Sequence, residues 1–223
     1  MLHIYYFIRR KASLSETEFA RYWREVHGPL VAKVPQLKAY VQCRRLDFPG
    51  LEPSHDGVAE LWVRDEAALA ELRRSPEFAR VETDAANFIQ PHSGQLLVTV
   101  DDVLLDGPQA EGAIKALFIF KRPRGMSLKA MRAHWRDVHG PIVLRLKNAR
   151  RYVESPTVDR AYDFAEPLYD GAGELWFDSV NALKETLASS EFVNEIIPDR
   201  SNFVDSSSLV IMVGRDHHVV RPA

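Results

Sequence analysis

The sequence predicts an α+β fold built from two copies of a β-α-β-β-α-β unit, and three observations carry that prediction. The segment Tyr22-Trp23-Arg24-Glu25-Val26-His27-Gly28-Pro29-Leu30-Val31 returns as His134-Trp135-Arg136-Asp137-Val138-His139-Gly140-Pro141-Ile142-Val143. Further pairs keep the same order, from Tyr40/Tyr152 through Asp56/Asp170, Glu60/Glu174 and Trp62/Trp176 to Asn87/Asn202 and Phe88/Phe203. The strand-like runs are apolar on both alternating sets, so both faces of each sheet require cover. Tandem duplication with small loop insertions accounts for the pattern.

In chain order, Leu2 to Arg9 reads as a strand, since Leu2/Ile4/Tyr6/Ile8 and His3/Tyr5/Phe7 are both mostly apolar. Ser15-Glu16-Thr17-Glu18 has the capping-box pattern, in which Ser15 accepts from the third amide and Glu18 reaches back. The helix that follows should bury Phe19, Tyr22, Trp23, Val26 and His27, which recur at helical spacing. Trp23 and His27 then share a face, and Gly28-Pro29 supplies a turn that ends or kinks the helix. A strand over 38–45 precedes a Pro/Gly/Ser loop over 48–54, and Asp56-Gly57 opens a strand over 58–63. On that strand Val58, Glu60 and Trp62 share a face. Asp65 caps a helix reaching about Arg73, Ser75-Pro76-Glu77 starts another, and 95–103 reads as one closing strand.

Residues 106–112 form the linker, dividing a first repeat, 1–105, from a second, 113–223. The second half repeats the order, with strands over 114–121, 151–153, 173–177 and 209–213, a helix from Ser127 and another over 181–187. A β-α-β-β-α-β unit is the ferredoxin-like arrangement, with both helices on one face of an antiparallel sheet. The faces left bare predict two sheets packed face to face as an intrachain α/β barrel with helices outside.

At 223 residues and 46% hydrophobic content the chain can hold two compact cores. A net charge of −2 with interspersed acids and bases gives no field for nucleic acid or for an anionic membrane. The N-terminal apolar run is too short before Arg9-Arg10-Lys11 for a signal peptide, and no later run approaches about 20 apolar residues. Cys43, the one cysteine, excludes an intramolecular disulfide and suits a reducing cytoplasm. The expectation is therefore a soluble cytoplasmic protein without nucleic-acid or membrane partners.

The Trp23-(three residues)-His27-Gly28-Pro29 segment, the Asp56-Gly57-Val58-Ala59-Glu60-Leu61-Trp62 strand and their second copies resemble the EthD family of the dimeric α/β-barrel superfamily. The resemblance covers nearly the whole chain, once per half. It implies decarboxylation, dehydration or cyclisation of aromatic polyketide-like compounds, or a role accompanying ether degradation. Single-domain members resemble homodimers, so this chain resembles such a dimer fused head to tail. A homodimer of the tandem chain is a further assembly to consider. The copies depart from each other at Tyr22/His134 and at His55/Tyr169.

His27 and His139 are the first candidates for chemistry, because imidazole can donate and accept a proton near neutrality. Their bland alternative is to satisfy carbonyls at a helix end. Glu60 and Glu174 stand beside Trp on apolar strands, where a carboxylate needs a partner, and could orient the imidazole or act as a second acid/base. Tyr40 and Tyr152 offer a phenol to a substrate oxygen, or plain packing. Trp23, Trp135, Trp62 and Trp176 would line an apolar substrate cavity or serve as core. Asp56 and Asp170 are substrate-binding candidates that also suit a turn before glycine. Asn87 and Asn202 could bond loop backbone.

His217-His218 recruits no further ligand, since adjacent strand residues face opposite ways, so no metal is expected. Nucleotide-binding glycine loops, nucleophile elbows and zinc motifs are absent from the sequence. Related barrels can carry haem, with His27 or His139 as axial ligand, but no other residue signals it. The reading is a cofactor-independent lyase or isomerase acting on a small hydrophobic aromatic or polyketide-like compound. A non-catalytic binding accessory protein and a cofactor-free oxygenase are its alternatives.

Overall fold

β1 (Leu2–Ile8) is buried on both faces, as its two apolar sets require, and the rest of the first repeat assembles around it. The computed structural model describes residues 1–52, 54–108 and 112–221. Pro53 of the loop over 48–54, and Gln109 to Glu111 of the 106–112 linker, lie outside the described residues. The described chain forms two units, one of residues 1–47, 52–98 and the segment from Asp216, the other of residues 48–51 and 99–215.

In the first unit β1 is followed by α1 (Glu16–Tyr22), a π-helical turn (Trp23–His27), α2 (Gly28–Val31), β2 (Leu37–Arg45) and β3 (Gly57–Val63). α3 (Glu66–Arg74), α4 (Pro76–Ala85) and β4 (Gln95–Thr99) complete it. The strands lie in the order β4-β1-β3-β2, with β3 antiparallel to both neighbours, which is the ferredoxin-like order. Helix starts follow their caps: Ser15 and Glu18 close the capping box, and Asp65 and Ser75 accept from Ala68 and Phe78 amides.

The second unit contains β5 (Asp102–Asp106), β6 (Ile114–Phe120), α5 (Leu128–His134), a π-helical turn (Trp135–His139), α6 (Gly140–Val143) and β7 (Arg151–Pro156). A short 3-10 turn (Asp159–Asp163), β8 (Gly171–Phe177), α7 (Val180–Leu187), a third π-helical turn (Phe192–Ile196), α8 (Ile197–Arg200) and β9 (Val210–Val220) follow. The order is β9-β6-β8-β7-β5, again antiparallel. The α+β class and both ferredoxin-like repeats are as the sequence predicts. Among the described residues no helix is long and apolar enough to cross a membrane.

Four local expectations are corrected. The single closing strand over 95–103 is two strands, β4 and β5. Between them the Val100 amide donates to Pro156 O (3.3 Å) and Asp101 accepts from Ser155 Oγ (2.8 Å). Asp106, read as the start of the linker, is the last residue of β5 and faces Arg151 across the ladder. Gly28-Pro29 does not end its helix: Gly28 N–H bonds Trp23 O across an i→i+5 turn, and α2 continues with Pro29 in its first turn. The wider turn accommodates a residue that lacks an amide hydrogen and crowds the preceding carbonyls. It also rotates each residue by less than the usual 100°, so Trp23 and His27 stay buried while Val26, expected in the apolar stripe, is 45% exposed.

Candidate functional site

The π turn of the first repeat places His27 under α4, where its Nδ1 lies 2.8 Å from Asp84 Oδ2. Tyr22 OH donates to Asp84 Oδ1 at 2.7 Å, and Asn87 Nδ2 bridges Tyr22 OH (3.1 Å) and Asp84 Oδ1 (3.2 Å). The ring edge of His27 meets Phe88 at 4.7 Å between centroids. Burial alone would raise the Asp84 carboxyl, but hydrogen bonds from Tyr22, His27 and Asn87 outweigh it and hold it below the ordinary range. Burial pulls the His27 imidazole down, against the opposing pull of Asp84. Near neutral pH the pair is therefore a carboxylate accepting from Nδ1–H of a neutral ring, and Nε2 is the basic nitrogen left for a ligand.

His27 lines a cavity of about 550 Å³ between the sheet and α3–α4. Ile4, Ile8, Leu61 and Val81 contribute apolar wall, Tyr6 and Tyr40 contribute hydroxyl-bearing rings, and exposed Arg73, Glu82 and Leu96 mark the rim. Its volume falls within the roughly 300–1,000 Å³ of small-molecule sites. Tyr40 is fully buried, and its oxygen accepts from Trp23 Nε1 and from Gln42 Nε2, each at 3.1 Å. Burial pushes its phenol up to about 12, so it remains a proton-bearing donor. Gln42 Nε2 also donates to Trp23 O at 2.7 Å, tying β2 to the π turn.

The second repeat repeats the imidazole arrangement. His139 Nδ1 lies 2.8 Å from Asp199 Oδ2, and His134 Nε2, in the place of Tyr22, lies 2.9 Å from Asp199 Oδ1. Burial lowers the His139 imidazole and Asp199 opposes it. Trp135 Nε1 donates to Tyr152 OH at 3.2 Å, but Tyr152 in turn donates to buried Glu154 at 2.7 Å. The cavity lined by His139 and Tyr152 is only about 50 Å³.

Several sequence candidates lie elsewhere. Ala59 and Leu61 of β3 face the His27 cavity, so strand alternation turns Glu60 and Trp62 to the other face of the sheet. Glu60 therefore does not orient the imidazole, and Trp62 does not line that cavity. Glu60 lies instead 3.7 Å from His3 Nε2, with His3 stacked on Trp62 at 3.8 Å. Glu174 and Trp176 likewise flank Lys115, whose Nζ is 3.3 Å from Glu174 and 5.2 Å from the Trp176 ring centre.

Trp23 and Trp135 are each buried against a glycine, and Trp135 also lines the small His139 cavity as expected, whereas Trp23 is not among the residues lining the His27 cavity. A Cβ on Gly57 would lie 2.5 Å from Trp23 Cζ3, and one on Gly171 would lie 2.6 Å from Trp135 Cζ3. Asp56 and Asp170 hold the loop after the first strand of each repeat. Asp56 accepts from the Arg10 amide at 2.9 Å and Asp170 from the Arg122 amide at 2.7 Å, and each also pairs with that arginine's guanidinium. Neither aspartate lines the His27 cavity or the His139 cavity.

The sequence reading missed Asp84 and Asp199, the carboxylates that meet the histidines. A usable signal was present, because Asp84-Ala85-Ala86-Asn87-Phe88 recurs as Asp199-Arg200-Ser201-Asn202-Phe203. Asn87 and Asn202 contribute side-chain bonds to those aspartates rather than to loop backbone. Cys43, Glu60 and Asp216 bring ligand atoms within 4.8 Å of one another. At two of the matching positions of the second unit Ser155 donates to Asp101 at 2.8 Å, so the group reads as a polar bonding cluster. Haem does not fit the first cavity: its two propionates call for cations, and the lining supplies one arginine, Arg73, together with a carboxylate, Glu82.

Two ferredoxin-like units in one chain, each with a helix-borne histidine held by a carboxylate, make this a tandem two-copy ferredoxin-like protein. The chain belongs to the EthD family: the EthD domain model matches residues 11–92 and 123–207, one match in each repeat. Among solved structures it is similar to an anthrone oxidase-like protein (TM-score 0.69, 10% identity, 100% of this chain and 94% of that one). It is also similar to a mutant chlorite dismutase from Candidatus Nitrospira defluvii (TM-score 0.55, 8% identity, 98% of this chain and 92% of that one). At those identities the likeness shows the fold. No curated protein matches the sequence.

Proposed function

We propose that the first repeat binds a small hydrophobic aromatic or polyketide-like carbonyl compound and catalyses cofactor-independent proton transfer on it, as a lyase or isomerase. The observation that carries this reading is the presence, in one apolar cavity, of a histidine held by Asp84 and of a phenol, Tyr40. His27 Nε2 takes a proton from the carbon beside the carbonyl, and the C–H electron pair moves into the carbon–carbon bond as the enolate forms. Tyr40 donates to the developing enolate oxygen, and Asp84 stabilises the imidazolium. The imidazolium returns its proton to another carbon for isomerisation, or to a departing hydroxyl for dehydration.

The anthrone oxidase-like neighbour favours a second reading of the same first step. Dioxygen, as co-reactant, oxidises the carbanion of a methylene group to a carbonyl, one oxygen atom entering the product and the other leaving as water. Both readings start from proton removal by His27. Hydrogen–deuterium exchange at the methylene of anthrone, followed by NMR with an oxygen electrode in parallel, tests them. Enzyme-dependent exchange lost in His27→Gln supports the reading, and stoichiometric oxygen uptake selects the oxygenase form. Binding of anthrone with no enzyme-dependent exchange selects a non-catalytic accessory protein instead. The proposal retains a cytoplasmic protein and a homodimer of the tandem chain, whose assembly mass photometry decides.

A further inference from the structure

We propose that the first repeat is the ligand site of this chain and that the second has been filled chiefly by Arg200 and has lost its phenol donor to Glu154, so that each chain holds one ligand. This rests on the cavity reading above but concerns its counterpart, and two independent observations carry it.

The first observation is volume, about 550 Å³ against about 50 Å³. Much of the lining is shared, since Val31, Tyr40 and Leu61 of the first cavity match Val143, Tyr152 and Leu175 of the second. Three matched lining positions enlarge, Val81 to Ile196 by one methylene and two others by more. Ile8, opposite Gly57, becomes Phe120, opposite Gly171, whose ring stands edge-on to Trp135 at 4.8 Å. Ala85, next to Asp84, becomes Arg200, next to Asp199. The match passes through an insertion: the copies gain one residue of spacing between Phe78/Phe192 and Asp84/Asp199, within the π turn Phe192–Ile196 that α4 lacks.

Arg200 lines the small cavity with its Nε buried and without a hydrogen-bond partner, and no ion pair holds it among the described residues. Its stem fills apolar space as a long side chain can.

The second observation is the direction of one hydrogen bond. Tyr40 receives from both Trp23 and Gln42, so its own proton is left for a ligand. Tyr152 receives from Trp135 but gives its proton to Glu154, the counterpart of Gln42. A single change from amide to carboxyl thus withdraws the phenol donor from the second cavity.

Calorimetric titration of the full chain with 2-naphthol, a two-ring aromatic phenol, tests the proposal. The expected result is one site per wild-type chain, weakened at least tenfold by Ala85→Arg. Arg200→Ala with Glu154→Gln should add a second site, and Arg200→Ala alone serves if the pair fails to fold. Two sites in the wild type, unchanged affinity in Ala85→Arg, or no binding at millimolar probe would overturn it. So would 2-naphthoate binding to the wild type that Arg200→Ala abolishes and Ala85→Arg leaves intact, since the second repeat would then be a carboxylate site. One blocked site together with unchanged proton exchange in His27→Gln would sink the proposed catalysis and leave this inference standing.

Discussion

Asp84 Oδ2 lies 2.8 Å from His27 Nδ1 while Tyr22 OH occupies the other carboxylate oxygen at 2.7 Å, so one side chain fixes both the tautomer and the tilt of the imidazole. If His27 is the base, His27→Gln should lower proton exchange by about 10²–10⁴-fold, the usual worth of a positioned base. Asp84→Asn should cost less. It removes the influence that opposes burial at His27, so the acid limb of the pH–rate profile should move to lower pH. A limb that stays in place, or moves up, would remove Asp84 from this role.

His55 should govern part of the acid stability. Burial, with Arg9 adding to it, pulls its imidazole down to about 4 in the folded chain, against about 6.5 when unfolded. Between those values the unfolded state binds the extra proton, so stability is full above about pH 6.5 and falls as pH drops toward 4. His27 and His139 are shifted in the same direction, so His55→Gln should reduce the slope of Tm against pH without abolishing it.

Glu154 predicts the opposite slope. Burial raises its carboxyl to about 7, well above an unfolded glutamate, so the native state is the better proton binder between about pH 4.3 and 7. Stability from this group is present below that window and is lost as pH rises through it. Glu154→Gln, which restores the residue type of Gln42, should raise Tm at pH 8 by a few degrees, the scale of about 1 kcal/mol in a chain of this size. It should change little at pH 5. Thermal unfolding at the two pH values measures the difference.

Gly57 and Gly171 should tolerate no side chain, because the indole above each occupies the space of a Cβ. Gly57→Ala or Gly171→Ala should destabilise by about 1–3 kcal/mol through overpacking. Gly50→Ala offers a contrast: no atom lies within 4 Å of its added Cβ, and the cost there comes from its positive φ of 82°. Denaturant midpoints with unchanged slopes would report the stability term alone.

The sequence by itself determined the duplication, the strand and helix order, and the helix starts at Ser15, Asp65, Ser75 and Ser127, each observed as an N-cap. Those signals act within one helical turn or one pleat, so neighbouring residues suffice to read them. Only the tertiary structure decided which carboxylate meets His27. Glu60 had the more conspicuous position, but strand alternation sends it to the opposite face, while Asp84 arrives from a helix 57 residues away in the chain. The widened turns at Trp23–His27 and Trp135–His139 also escaped local reading, since a five-residue backbone turn leaves the Trp–His spacing unchanged. Whether a duplicated histidine faces a cavity or a filled core depends on residues such as Ala85 and Arg200. Their volumes act only once α4 and α8 are packed near the imidazoles, so two nearly identical motifs end in unequal sites.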